Sequence, residues 1–96
     1  MSKITESARG ENCQVRIPGV CNHDSSTVVL AHRNGGGMGA KHPDSMGAYA
    51  CSACHAFIDG GYMQTQYTRD QADLWHYEGI FNTQEILIEK GLLVER

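Results

Sequence analysis

Cys51-Ser52-Ala53-Cys54-His55, with the apolar run Thr27-Val28-Val29-Leu30-Ala31-His32 upstream of it, decides how this chain folds. Cys-x-x-Cys is the spacing that lets two thiolates reach one tetrahedral Zn2+ from a tight turn. A second pair, Cys13 and Cys21, has seven residues between its members, more than the usual two to four. Pro18-Gly19 lies inside that gap and is a strong turn signal, so the segment folds back on itself as a knuckle. His23 is an alternative ligand beside Cys21. The competing use of such cysteines is as small buried apolar side chains.

Working outward, the β-branched, apolar residues 27–32 suit a buried strand, and Met46 to Ala50 its return in a wide hairpin. Between them Gly35-Gly36-Gly37-Met38-Gly39 leads into Lys41-His42-Pro43-Asp44. Four glycines in five positions exclude a helix or a stable strand. Ser52 is the expected N-cap of a short helix through Cys54, His55, Phe57 and Asp59, stopped by Gly60-Gly61. Thr68-Arg69-Asp70-Gln71 reads as a capping box opening a helix that ends at Gly79. Asn82-Thr83-Gln84-Glu85 repeats the pattern for a second helix ending at Gly91, with Leu92-Leu93-Val94 as a last short strand. Leu74, Trp75, Ile80 and Phe81 either pack these helices onto the core or cover a partner chain; oligomeric state is left open. The expected organisation is one α+β domain over 1–96: a flexible arm (1–12), a knuckle with a strand-strand-helix core (13–61) and a helical C-terminal extension (62–96).

Ninety-six residues hold one small core, and domains of this size often add a metal or disulfides. Met1 to Ser7 lacks the apolar stretch of a signal peptide, and no apolar run approaches the roughly 18–20 residues that cross a bilayer. A cytoplasmic location follows as an expectation, with thiols kept reduced, so the four cysteines read first as ligands and second as disulfides. The net charge of −3 and pI near 5.9 are poor credentials for nucleic-acid binding. The halves differ, however. Residues 1–48 carry five basic and four acidic side chains, residues 49–96 three and seven. That asymmetry permits a DNA-facing side.

Several side chains have the chemistry of phosphodiester hydrolysis. On a helix His55 and Asp59 share a face about 5–6 Å apart, where an imidazole and a carboxylate can grip one divalent cation. The plainer role for Asp59 is as the residue before a glycine turn. His32 ends the apolar run and has the intrinsic pKa to take a proton from water near neutral pH. Lys41 and Arg33 are candidates to hold a phosphate, and His42 and Asp44 are further possible metal ligands. The glycine segment matches neither a Walker A sequence nor a dinucleotide fingerprint.

Together these residues resemble the HNH (ββα-metal) endonucleases. Cys13 to Cys21, Leu30-Ala31-His32, Gly35 to Asp44 and Gly47 to Gly60 resemble in particular the small lambdoid-prophage nucleases of the YbcO-like group. The resemblance spans roughly residues 10–62. It implies a ββα-metal finger with a four-cysteine zinc knuckle (Cys13, Cys21, Cys51, Cys54), and metal-dependent cleavage of DNA. It further implies that His32 activates the attacking water and that His55 binds the catalytic cation, with Asp59 as a second helix ligand. Asn34 is the nearest counterpart of the middle asparagine, standing earlier than the motif places it. The family usually has Asp or His before the base; here Ala31 stands there. The cation itself is open, because His plus carboxylate accepts Mg2+, Mn2+, Ni2+ or Zn2+. The main alternative is a non-catalytic, zinc-stabilised module that binds DNA or protein. A c-type haem site also reads Cys-x-x-Cys-His, but it needs an exported chain and leaves Cys13 and Cys21 idle.

Overall fold

A computed structural model describes residues 3–32 and 46–93. Its elements are α1 (Lys3–Ser7), β1 (Val29–His32), β2 (Gly47–Ala50), α2 (Ser52–Ile58) and α3 (Arg69–Glu89), with 3-10 turns over Ser25–Thr27 and Gly61–Gln64. β1 and β2 form an antiparallel pair in which Val29 faces Ala50 and His32 faces Gly47. All four residues of β2 are buried, which their small side chains and the single Tyr49 allow from both faces. The described residues form a small α+β fold with a two-stranded sheet and helices.

α3 is where the fold departs furthest from the expected pair of C-terminal helices. The helix runs unbroken through Gly79, which helix propensity alone disfavours by about 1 kcal/mol. Packing supplies the reason. A Cβ at Gly79 would stand 2.7 Å from Val15 Cγ2 and 3.2 Å from both Ala48 Cβ and Val15 Cα. The glycine therefore lets the helix lie directly against β2 and the knuckle. The apparent second capping box has a different job as well: Thr83 is fully buried, and its Oγ1 accepts from the Tyr49 N–H at 2.9 Å. The Tyr49 carbonyl accepts from the Gln14 N–H at 2.7 Å, so both polar groups of that strand residue are satisfied outside the hairpin.

Two predictions follow from this seam. Gly79→Ala gains roughly 1 kcal/mol of helix propensity but overpacks a contact in which one neighbour is backbone, a cost of about 1–3 kcal/mol. The clash should win, giving a lower melting temperature by thermal circular dichroism. Thr83→Val keeps the shape and strands the Tyr49 N–H, and should cost about 1–3 kcal/mol in a denaturant titration.

Smaller corrections have local causes. Residues 3–7 of the expected arm are helical: Ala8 is buried and the Tyr49 hydroxyl lies 2.6 Å from Ser7 Oγ. Lys90 pairs with Glu11, which raises the lysine pKa and ties the N-terminal segment to the end of α3. Thr27 belongs to the 3-10 turn rather than the strand, its hydroxyl donating to the Asp24 carbonyl at 2.8 Å and accepting from the Ser52 N–H at 3.2 Å. Cys51, not Ser52, caps α2; the Ser52 hydroxyl is engaged by Asn22 at 3.0 Å. Leu92 and Leu93 close a Schellman turn, with Leu92 N–H to Leu87 carbonyl at 2.9 Å and Gly91 at φ 75°, instead of forming a strand; Val94 lies outside the described residues. The Thr68 cap and the Gly60 stop are as expected.

Phe57 joins α2 to α3. Its ring meets Tyr62, Tyr67 and Trp75 edge-on at centroid distances of 6.3, 6.0 and 5.9 Å. Of the α3 residues expected in the core or at a partner, Ile80 is buried and Trp75 partly so, while Leu74 and Phe81 are exposed. No described helix is long and apolar enough to cross a membrane.

Candidate functional site

The knuckle folds as its turn chemistry dictates. Pro18-Gly19 reverses the chain, with Gly19 at φ 75° and the Val20 and Cys21 N–H groups both donating to the Ile17 carbonyl, at 3.0 and 2.9 Å. This brings Cys21 back beside Cys13. β2 runs directly into Cys51, and the first turn of α2 places Cys54 beside it. The four Sγ atoms all lie within 4.8 Å of one another. Four sulfurs about 2.3 Å from a tetrahedral ion stand roughly 3.8 Å apart. The Cys51 and Cys21 sulfurs are at 3.8 Å, which fits that arrangement and is nearly twice the disulfide bond length of about 2.05 Å. All four thiols are free. The group can therefore hold a metal ion.

Backbone N–H groups point at two of the sulfurs. Arg16 adopts a left-handed backbone (φ 49°), uncommon for a residue with a Cβ, and this aims its N–H at Cys13 Sγ, 3.4 Å away. The Cys54 N–H points to Cys51 Sγ at the same distance. The Cys54 thiol beside Cys13 lowers the Cys13 pKa to about 4, with backbone N–H groups adding to the effect against burial. The same contact, then burial, pushes the Cys54 thiol up. Cys21 is raised chiefly by burial. His23 lies next to the group and not within it: its Nδ1 is 3.7 Å from Cys21 Sγ.

The other expected site residues are placed on the same framework. His32 is the last residue of β1 and partly exposed. His55 is on α2, and its Nε2 is 3.5 Å from Asp59 Oδ2, with 39% and 61% of the two side chains exposed. Asp59 also caps the helix, its N–H donating to the His55 carbonyl. Among the described residues, His32, His55 and Asp59 do not converge into a cluster of three or more ligand atoms. Arg33, Asn34, Lys41, His42 and Asp44 lie outside the described residues.

The buried polar residue His76, and the buried role of Thr83, escape the sequence reading. His76 is 1% exposed and its Nε2 lies 2.9 Å from the Ala31 carbonyl oxygen. The signal was their spacing. His76, Ile80, Thr83 and Leu87 fall at i, i+4, i+7 and i+11, one stripe of a continuous helix.

Comparison with known proteins agrees with this framework over nearly the whole chain. The family model described as "Putative nuclease YbcO" matches residues 2–92. Two relatives of that name, one from Escherichia coli (strain K12) and one from Enterobacteria phage 82, are each 43% identical over 97% of this chain and 98% of their own. A solved structure, "a putative bacteriophage protein" from Escherichia coli K-12, superposes with a TM-score of 0.74 at 41% identity, over 91% of this chain and 98% of that one. The chain belongs to the YbcO nuclease family.

Proposed function

We propose that the protein is an HNH-type endonuclease of the ββα-metal kind, which hydrolyses DNA phosphodiester bonds with a divalent cation in the cytoplasm. The observation that carries this reading is the order β1, β2, α2, with His32 ending β1 and His55 as the fourth residue of α2. The cysteine group stands at the junction of β2 and α2, and in this reading it holds a structural Zn2+. Membership of a nuclease family supports the same conclusion.

Each residue has a role under this reading. His32 Nε2 or Nδ1 takes the proton of the attacking water. His55 and Asp59, accessible and side by side, hold the catalytic cation. When bound, that ion offsets charge developing on the phosphate and the leaving oxygen. Lys41 neutralises the phosphate, Asn34 orients the base, and Asp44 or His42 supplies the ligand that buried Ala31 does not.

A binding module without catalysis is the second reading, favoured by Ala31 and by the net charge of −3. Incubating the purified protein with supercoiled plasmid and Mg2+, Mn2+, Ni2+ or Zn2+ separates the two. The nuclease reading expects nicked circles that disappear with chelator. Retarded plasmid without nicking under every metal would favour the binding module.

A further inference from the structure

The seam of α3 carries one polar ring to which the proposed chemistry gives no task. His76 is buried, and its Nε2 lies 2.9 Å from the carbonyl oxygen of Ala31. A carbonyl only accepts, so Nε2 carries the proton and donates. The accepting group is the peptide that joins Ala31 to His32. The bond therefore holds β1 one peptide from the candidate base, at the last described pair of the two strands, His32 opposite Gly47. One and two turns further along the same helix, Gly79 seats against Ala48 and Thr83 accepts from the Tyr49 N–H. α3 thus fixes both strands, and the His76 bond fixes the strand that delivers His32. A purely space-filling role here would be met by leucine, without the penalty of burying an imidazole.

We infer that His76 is a positioning residue for His32: through the Ala31 carbonyl, its Nε2–H sets where β1 presents the His32 ring. The inference rests on the reading of His32 as general base. A misplacement of about 1 Å at a reacting group can lower a rate by roughly 100-fold, so one backbone hydrogen bond at this point has leverage on catalysis.

The test compares His76→Leu, which fills the space without a donor, with His76→Gln, whose amide can donate to the same carbonyl. Plasmid-nicking kinetics, melting temperature and zinc content are measured on the full chain, with the ring 1H–15N resonances of His32. His76→Leu is expected to lower kcat roughly 10- to 100-fold with KM little changed, and to shift the His32 resonances. His76→Gln should restore most of the rate and return the resonances. Undiminished kcat in His76→Leu, or equal losses in both variants, would overturn the inference. So would His32 resonances that stay in place. If the wild type does not cleave, the nuclease reading fails by itself and the resonances decide the positioning role. Should His76→Leu not fold, His76→Met takes its place with the same expectations.

Discussion

Chelating the Zn2+ proposed for the cysteine group, or removing a ligand by Cys54→Ser, is expected to unfold the protein. Cys51 and Cys54 are fully buried and Cys13 nearly so, and with Cys21 they tie the knuckle, the exit of β2 and the start of α2 to one point. Structural Zn2+ contributes about 10–16 kcal/mol to zinc-finger peptides at neutral pH. A whole domain is stable by only about 5–15 kcal/mol. Loss of such an ion would therefore take away as much as the fold has to give. The chelated protein should lose its cooperative melting transition and regain it on adding Zn2+, and native mass spectrometry should find one tightly bound Zn2+ per chain. Reducing agent should have no effect, because the thiols are free. A chelated chain that melts like the untreated one would show that the sulfurs act only as buried apolar groups.

The second large effect is expected at His32. His32→Ala should lower plasmid nicking by about 10²- to 10⁴-fold, the usual contribution of a positioned general base. Melting temperature and zinc content should hardly move, since His32 is partly exposed at a strand end and outside the cysteine group. His55→Ala should behave differently. Loss of a proposed cation ligand should raise the metal concentration needed for cleavage, and the rate should partly recover at high metal.

Local chemistry was the readable part of this sequence. The Cys-x-x-Cys pair, the Pro18-Gly19 reversal, the Thr68 cap and the Gly60 stop each act within a few residues of themselves, and each stands where its residue type demands. What misled was tertiary. Gly79 looks like a terminator because nothing nearby in sequence reveals Val15 and Ala48 pressed against it. Asn82-Thr83-Gln84-Glu85 looks like a helix start because the true partner of Thr83, the Tyr49 N–H, is 34 residues away. With the helix divided at Gly79, His76 fell at the end of one predicted segment, and its stripe with Ile80, Thr83 and Leu87 was hidden. The arm at the N-terminus differs for the same reason: Ala8 is buried, and Ser7 meets the Tyr49 hydroxyl of β2 and the Lys90 ammonium at the end of α3, both far away in sequence. His32, His55 and Asp59 were legible as candidates, His32 and Asp59 as polar residues at element ends and His55 as the close of the Cys-x-x-Cys-His run.

The most direct test of the account is plasmid nicking by zinc-loaded wild type and His32→Ala, side by side, in the metal that best supports cleavage. The account predicts nicking by the wild type and its near-complete loss in the variant, at equal zinc content and equal melting temperature. Cleavage that persists in His32→Ala would contradict the assignment of the base, and absence of cleavage by the wild type in every metal would contradict the nuclease itself.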